Sequence, residues 1–151
     1  MERMDSIKND SQNFAQERKT ILVVEDEEAL NELIVLVLAA EGYTVVSSRD
    51  GEEALQVYKK YWRDVVLVFS DYGLPNHHGT EVLRQIRDIN PDVKFILTSG
   101  YLDDGMTSEI LQAGADKVLW KPYSIDEVRR AVKGILEKSE GGPNDVPPAD
   151  L

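Results

Sequence analysis

Two kinds of apolar patterning alternate along this chain. Solid runs of β-branched and aliphatic residues fall at 20–24, 65–71, 93–98 and 117–120, with a more mixed run at 43–47. Runs with no polar alternation read as strands buried on both faces, as in a parallel sheet. Between them the apolar residues recur at helical spacing. Leu30, Leu33, Ile34, Val37 and Leu38 form one stripe within 27–40, and Ala54, Leu55 and Tyr58 another within 52–61. Val82, Leu83 and Ile86 mark a helix from Gly79 to about Ile89; Val128, Val132, Ile135 and Leu136 mark one over 125–137. A less apolar helix is expected over 104–113. Stop and start signals agree with these spans. Gly42 and Gly114 end helices, Asn90-Pro91 ends another, Asp50-Gly51 turns, and Ser124 caps the last helix.

Strands alternating with helices predict an α/β domain, a parallel sheet with helices on both faces and right-handed crossovers. The folded part is expected to cover residues 19–138 as a single domain. Residues 1–18 are polar, without apolar periodicity, and read as a disordered extension. Residues 139–151, with Gly141-Gly142-Pro143 and Pro147-Pro148, read as a disordered acidic tail.

Composition narrows the function classes. The 151 residues contain no cysteine, which excludes disulfides and thiolate metal sites. No apolar run approaches the roughly 18 residues a membrane span requires. The N-terminus lacks a basic segment followed by an apolar one, so a cytoplasmic location is expected. The formal charge is −11, with residues 1–19 neutral, 139–151 at −3 and the remaining −8 on the middle. Such a field repels phosphate backbones, so no direct nucleic-acid binding is expected.

The candidate chemistry lies at the strand ends. The first strand leads into Glu25 and Asp26, the third ends on Asp71, the fourth on Ser99, the fifth on Lys121. In a parallel sheet these ends share one edge, where α/β folds keep their ligand sites. Three carboxylates make a hard-oxygen set suited to Mg²⁺. A lysine and a hydroxyl suit a phosphoryl group once the metal has taken part of its charge. Each feature alone has a plainer explanation: Glu25 and Asp26 as helix N-terminal acids, Asp71 as a cap, Ser99-Gly100 as a turn. Their coincidence at four strand ends favours one site.

The motifs Glu25-Asp26, Asp71-x-x-x-Pro75-x-x-x-Gly79, Thr98-Ser99-Gly100 and Lys121-Pro122 resemble, in order and spacing, those of response-regulator receiver domains of two-component signalling. The resemblance covers about residues 19–138. It implies a flavodoxin-like (βα)5 doubly wound sheet with strand order 2-1-3-4-5. It implies that Asp71 accepts a phosphoryl group from a histidine kinase or phosphotransfer protein. Asp26 would bind Mg²⁺ directly beside Asp71, Glu25 through water, and the Gly73 backbone carbonyl would complete the protein ligands. Ser99 would hydrogen-bond the acyl phosphate and Lys121 pair with it. Thr98 is the alternative hydroxyl; Gly100 after Ser99 favours Ser99, since strand alternation turns only one of the two toward the site. The family often carries Tyr or Phe three residues before the lysine as a switching ring, and this chain has Val118 there.

Other classes fare less well. An FMN carrier of the same fold needs a hydroxyl- and glycine-rich phosphate loop where this chain has Glu25-Asp26-Glu27-Glu28. A haloacid-dehalogenase-type phosphatase wants a second acid where Gly73 stands. The alternative within the family is a degenerate receiver that docks partners without phosphorylation, whose hallmark is loss of the aspartate or lysine; both are present. His77-His78 lacks metal-ligand spacing to other histidines. The expectation is a phosphoacceptor signalling domain rather than an enzyme, with a downstream protein partner on the face built from residues 101–137. The output pathway, and whether the chain stands alone or belongs to a larger protein, are left open.

Overall fold

The computed structural model describes residues 19–100 and 104–141, so the expectations for 1–18 and for the tail past 141 lie outside the described residues. Five parallel strands, β1 (Thr20–Val24), β2 (Thr44–Ser48), β3 (Val65–Asp71), β4 (Lys94–Ser99) and β5 (Lys117–Trp120), form one sheet in the order β2-β1-β3-β4-β5. Five helices link and follow them: α1 (Glu28–Ala40), α2 (Gly51–Tyr61), α3 (Gly79–Ile89), α4 (Asp104–Gln112) and α5 (Ile125–Gly141).

The pleat sorts each apolar run into two cores. Ile21, Val23, Leu67, Phe69, Ile96 and Leu119 face α1 and α5, packing on Ile34, Leu38, Val128 and Val132. Leu22, Val24, Val68, Phe95 and Leu97 face the other way, onto Ala54 and Tyr58 of α2, Leu83 and Ile86 of α3 and Ile110 of α4. This is why β1 and β3 carry no polar alternation: neither face meets water. β2 lies at one edge and is only half-buried.

Local signals set the helix ends. The Asp50 carboxylate accepts the Glu53 N–H at 2.8 Å, and the Glu53 carboxylate accepts the Arg49 N–H at 2.7 Å. Ser124 and Glu127 exchange a reciprocal pair at 3.1 and 3.0 Å, a capping box at the start of α5. Gly42 and Gly114 adopt φ of +101° and +100°, the left-handed conformation that ends α1 and α4 at low steric cost.

Several boundaries differ from the expected ones by a residue or more. Tyr43 lies in the turn that closes α1 rather than in β2, because its N–H closes onto the Leu38 carbonyl at 3.2 Å. β4 starts and ends one residue later than the apolar run, since Val93 turns back on the Asn90 carbonyl (3.4 Å) and Ser99 pairs with Trp120. α5 continues to Gly141, past the end of its apolar stripe at Leu136, because a polar last turn needs no buried face to remain helical.

Candidate functional site

At the carboxyl edge of the sheet the site begins with Glu25, the first residue after β1. Its backbone N–H is held by the Ser48 carbonyl at 3.1 Å. Asn31 of α1 fastens the same corner: its side-chain amide donates to the carbonyls of Glu25 and Ser48, each at 3.0 Å. These bonds fix the exits of β1 and β2 against α1. The Glu25 carboxylate is buried, with Oε2 accepting the Glu27 N–H at 3.0 Å and Oε1 accepting from Lys121 Nζ at 3.2 Å. Burial pushes the Glu25 carboxyl above its ordinary value; the neighbouring Asp71 adds to the rise, against the Glu27 N–H and the lysine.

Asp71 closes β3 and is 8% exposed. Its Oδ2 stands 3.5 Å from Lys121 Nζ, so one ammonium serves two carboxylates. Burial draws the Lys121 ammonium down, but Asp71 and Glu25 outweigh it and hold it above the ordinary lysine value. Asp26 is exposed at the rim. One carboxylate oxygen from each of Glu25, Asp26 and Asp71 lies within 4.8 Å of the others. The donor set is all oxygen, and two ligands of one Mg²⁺ stand at most about 4.2 Å apart, given bonds of about 2.1 Å. The cluster is of the kind that suits a small hard cation.

The loop after Asp71 is packed against the site. The Tyr72 N–H donates to the Thr98 carbonyl and the Gly79 N–H to the Tyr72 carbonyl, both at 2.8 Å. A Cβ on Gly79 would stand 2.6 Å from the Asp71 carbonyl oxygen, which is why no side chain fits there. Gly73 is exposed, with open space around its missing Cβ.

Glu25, Asp26, Asp71 and Lys121 thus come together as their spacing implied. The two hydroxyl candidates separate. Register places Thr98 directly opposite Asp71, and Ser99 one position farther along β4. Thr98 shares its pleat face with Ile96, and its hydroxyl is buried next to the Tyr123 phenol. Ser99 is buried at the sheet edge, where its carbonyl accepts the Lys121 N–H at 2.8 Å. Two further residues of the neighbourhood escaped the motif reading. Asn31 had a signal, since it is a polar residue in line with the inward Ile34 and Leu38. Tyr123 had none: its ring meets Phe69 edge-on, with centroids 6.1 Å apart.

The family model for the response regulator receiver domain matches residues 21–133. The chain belongs to this family. The receiver domain is 36% identical over 121 residues to the sensor kinase CckA of Brucella abortus, covering 80% of this chain and 13% of that one. It is 33% identical to the sporulation initiation phosphotransferase F of Bacillus subtilis, covering 77% of this chain and 92% of that protein. A CheY-like receiver domain from Methanospirillum hungatei superposes with a TM-score of 0.75 at 30% identity, covering 82% of this chain and 98% of that one. Against several curated transcriptional regulators the receiver domain spans about half their length. No helix among the described residues is long and apolar enough to cross a membrane.

Proposed function

We propose that this receiver domain is an active phosphoacceptor, taking a phosphoryl group on Asp71 from a histidine kinase or phosphotransfer protein. The observation that carries the reading is the placement of the Asp71 carboxylate: 3.5 Å from the Lys121 ammonium and beside two further carboxylates. In the transfer an Asp71 oxygen attacks phosphorus as the donor's P–N bond breaks, leaving an acyl phosphate. Lys121 pairs with the phosphoryl oxygens, and the Ser99 hydroxyl donates to one of them. Ser99 is preferred to Thr98 because its backbone is tied to Lys121, whereas the buried Thr98 hydroxyl is engaged by the Tyr123 phenol. Asp26 and Asp71 would hold Mg²⁺ directly, Glu25 through water, with the Gly73 carbonyl as a further ligand. The ion would neutralise charge gathered on the phosphoryl oxygens.

The downstream partner face is assigned to α4, β5 and α5. Leu111 on α4 is 54% exposed, and Lys121 leads directly from β5 toward α5, so movement at the lysine reaches this face.

Intact-mass measurement after incubation with phosphoramidate and Mg²⁺ tests the reading. The wild type should gain one phosphoryl group and Asp71→Asn none; equal modification of the variant refutes the assignment. Ser99→Ala should slow uptake more than Thr98→Val does, and the reverse order would transfer the hydroxyl role to Thr98.

A further inference from the structure

Glu109 of α4 gathers contacts from two elements beside the site. One oxygen of its carboxylate, Oε1, accepts the Thr80 hydroxyl at 3.4 Å and the Tyr72 hydroxyl at 3.5 Å. Thr80 is the buried second residue of α3, next to the Gly79 that packs on the Asp71 carbonyl. Tyr72 stands between Asp71 and Gly73, both proposed metal ligands. The backbone of Tyr72 is bonded to the Thr98 carbonyl and the Gly79 N–H, each at 2.8 Å, and its ring lies 5.6 Å from that of His78. Its hydroxyl end reaches α4. Glu109 is itself fixed in the last helical turn, where its carbonyl accepts the Ala113 N–H at 2.9 Å, and its neighbour Ile110 is fully buried. Among the described side chains of α4, Ile110 alone is buried. Contacts as exposed and as long as those at Glu109 add little to global stability, because water competes for both partners. What they supply is a constraint on where the Tyr72 side chain sits.

We propose that Glu109 is a positioning residue for the metal site. Its carboxylate fixes the outer end of Tyr72, and through it the Asp71–Gly73 backbone that would hold Mg²⁺. A tyrosine held at its backbone and at its hydroxyl has little freedom to turn, so the loop is ordered before the ion arrives. Ordering supplied in advance is not charged to the binding step, and affinity rises accordingly. The two hydroxyls require an oxygen acceptor rather than a charge, so a glutamine oxygen at residue 109 would serve them equally. No covalent bond changes. The inference rests on the reading of Asp71 and Gly73 as metal ligands, and adds to it a residue outside the carboxylate cluster.

Mg²⁺ titrations of the full chain, followed by the amide resonances of Asp26, Asp71 and Gly73, test the role. Glu109→Ala and Tyr72→Phe should each weaken Mg²⁺ binding about 2- to 10-fold, the equivalent of one hydrogen bond. Glu109→Gln should bind like the wild type. The double variant Tyr72→Phe/Glu109→Ala should bind no more weakly than Glu109→Ala, because both changes cut the same link. Metal-free melting temperatures of all four should stay within about 2 °C of the wild type. A fall in Tm that parallels the loss of affinity would reduce Glu109 to a structural contact. Equal weakening in Glu109→Gln and Glu109→Ala would assign the effect to the lost negative charge and overturn the proposal, as would unchanged affinity in Tyr72→Phe. A wild type that binds no Mg²⁺ instead refutes the reading of the site, and the positioning role falls with it.

Discussion

Replacing Gly79 by alanine tests whether Asp71, the proposed phosphoacceptor, is held in place by backbone packing. The added Cβ would lie 2.6 Å from the Asp71 carbonyl oxygen, 2.7 Å from a Leu97 methyl and 2.9 Å from Tyr72 Cα. Carbon atoms normally approach no nearer than about 3.5 Å. The leucine methyl can turn aside, whereas the two backbone atoms cannot move without shifting the end of β3. Gly79 itself is held by its N–H bond to the Tyr72 carbonyl at 2.8 Å, so it cannot retreat freely. Overpacking of this kind costs about 1–3 kcal/mol. Alanine's better helix propensity returns at most about 1 kcal/mol, and less in a first turn. A net loss of about 1–2 kcal/mol corresponds to a Tm lower by about 4–8 °C for a domain of this size.

The same clash should disturb function, because the struck atom belongs to Asp71. A displacement approaching 1 Å at a reacting group costs up to about 100-fold in rate. Thermal melts and the rate of phosphoryl uptake from phosphoramidate are the assays. Gly73→Ala is the control: nothing lies within 4 Å of its missing Cβ, so its Tm should stay within about 2 °C of the wild type. A Gly79→Ala protein that melts and is phosphorylated like the wild type would refute the packing argument.

Three further outcomes follow from the same geometry. Mg²⁺ should raise the Tm, since saturation at 100 times Kd stabilises by about 2.7 kcal/mol, and Asp26→Ala should remove most of that shift in calorimetric melts. Glu25 has its folded pKa raised above the ordinary 4.5, so stability falls as pH climbs through the window above 4.5; the Tm of Glu25→Gln relative to wild type should therefore rise from pH 4.5 to 7, and a flat difference would contradict it. Arg87 donates at 2.9 Å to the Val93 and Gly114 carbonyls and to the Asp116 carboxylate, so urea unfolding of Arg87→Met should show a loss of about 2–3 kcal/mol.

Much of this was legible in the sequence because the decisive features are local. The uniform runs of β1 and β3 announce burial on both faces, and Ser124 with Glu127 announces a helix start. The converging strand ends were legible because parallel topology sends every carboxyl end to one edge. Contacts across the fold were not. Arg87 and Asp116 meet because α3 crosses the start of β4 beside the turn before β5, and no spacing rule joins residues so far apart. The neighbours of Tyr123 depend on how α5 rolls on the sheet. The end of β4 was also hard to read, since the polar Ser99 continues the ladder that the apolar run seemed to end; the preference for Ser99 over Thr98 came instead from Gly100 and strand alternation.

The electrostatics of the site explain why its charges are arranged so unevenly. Three carboxylates face one lysine, leaving a formal excess of two negative charges that a divalent cation matches. Lys121 stands between Glu25 at 3.2 Å and Asp71 at 3.5 Å, and in the proposed transfer only Asp71 is modified. Phosphorylation takes Asp71 from one negative charge to about two. The pull on Lys121 from that side then roughly doubles, while the pull from Glu25 is unchanged, and a metal ion on the carboxylates weakens Glu25 as a competitor. The lysine therefore moves between two partners already within reach, and the segment beyond it follows. Under the proposed reading, Glu25 keeps a second carboxylate beside Lys121, so that occupancy of Asp71 would tip the lysine from a shared position toward one partner.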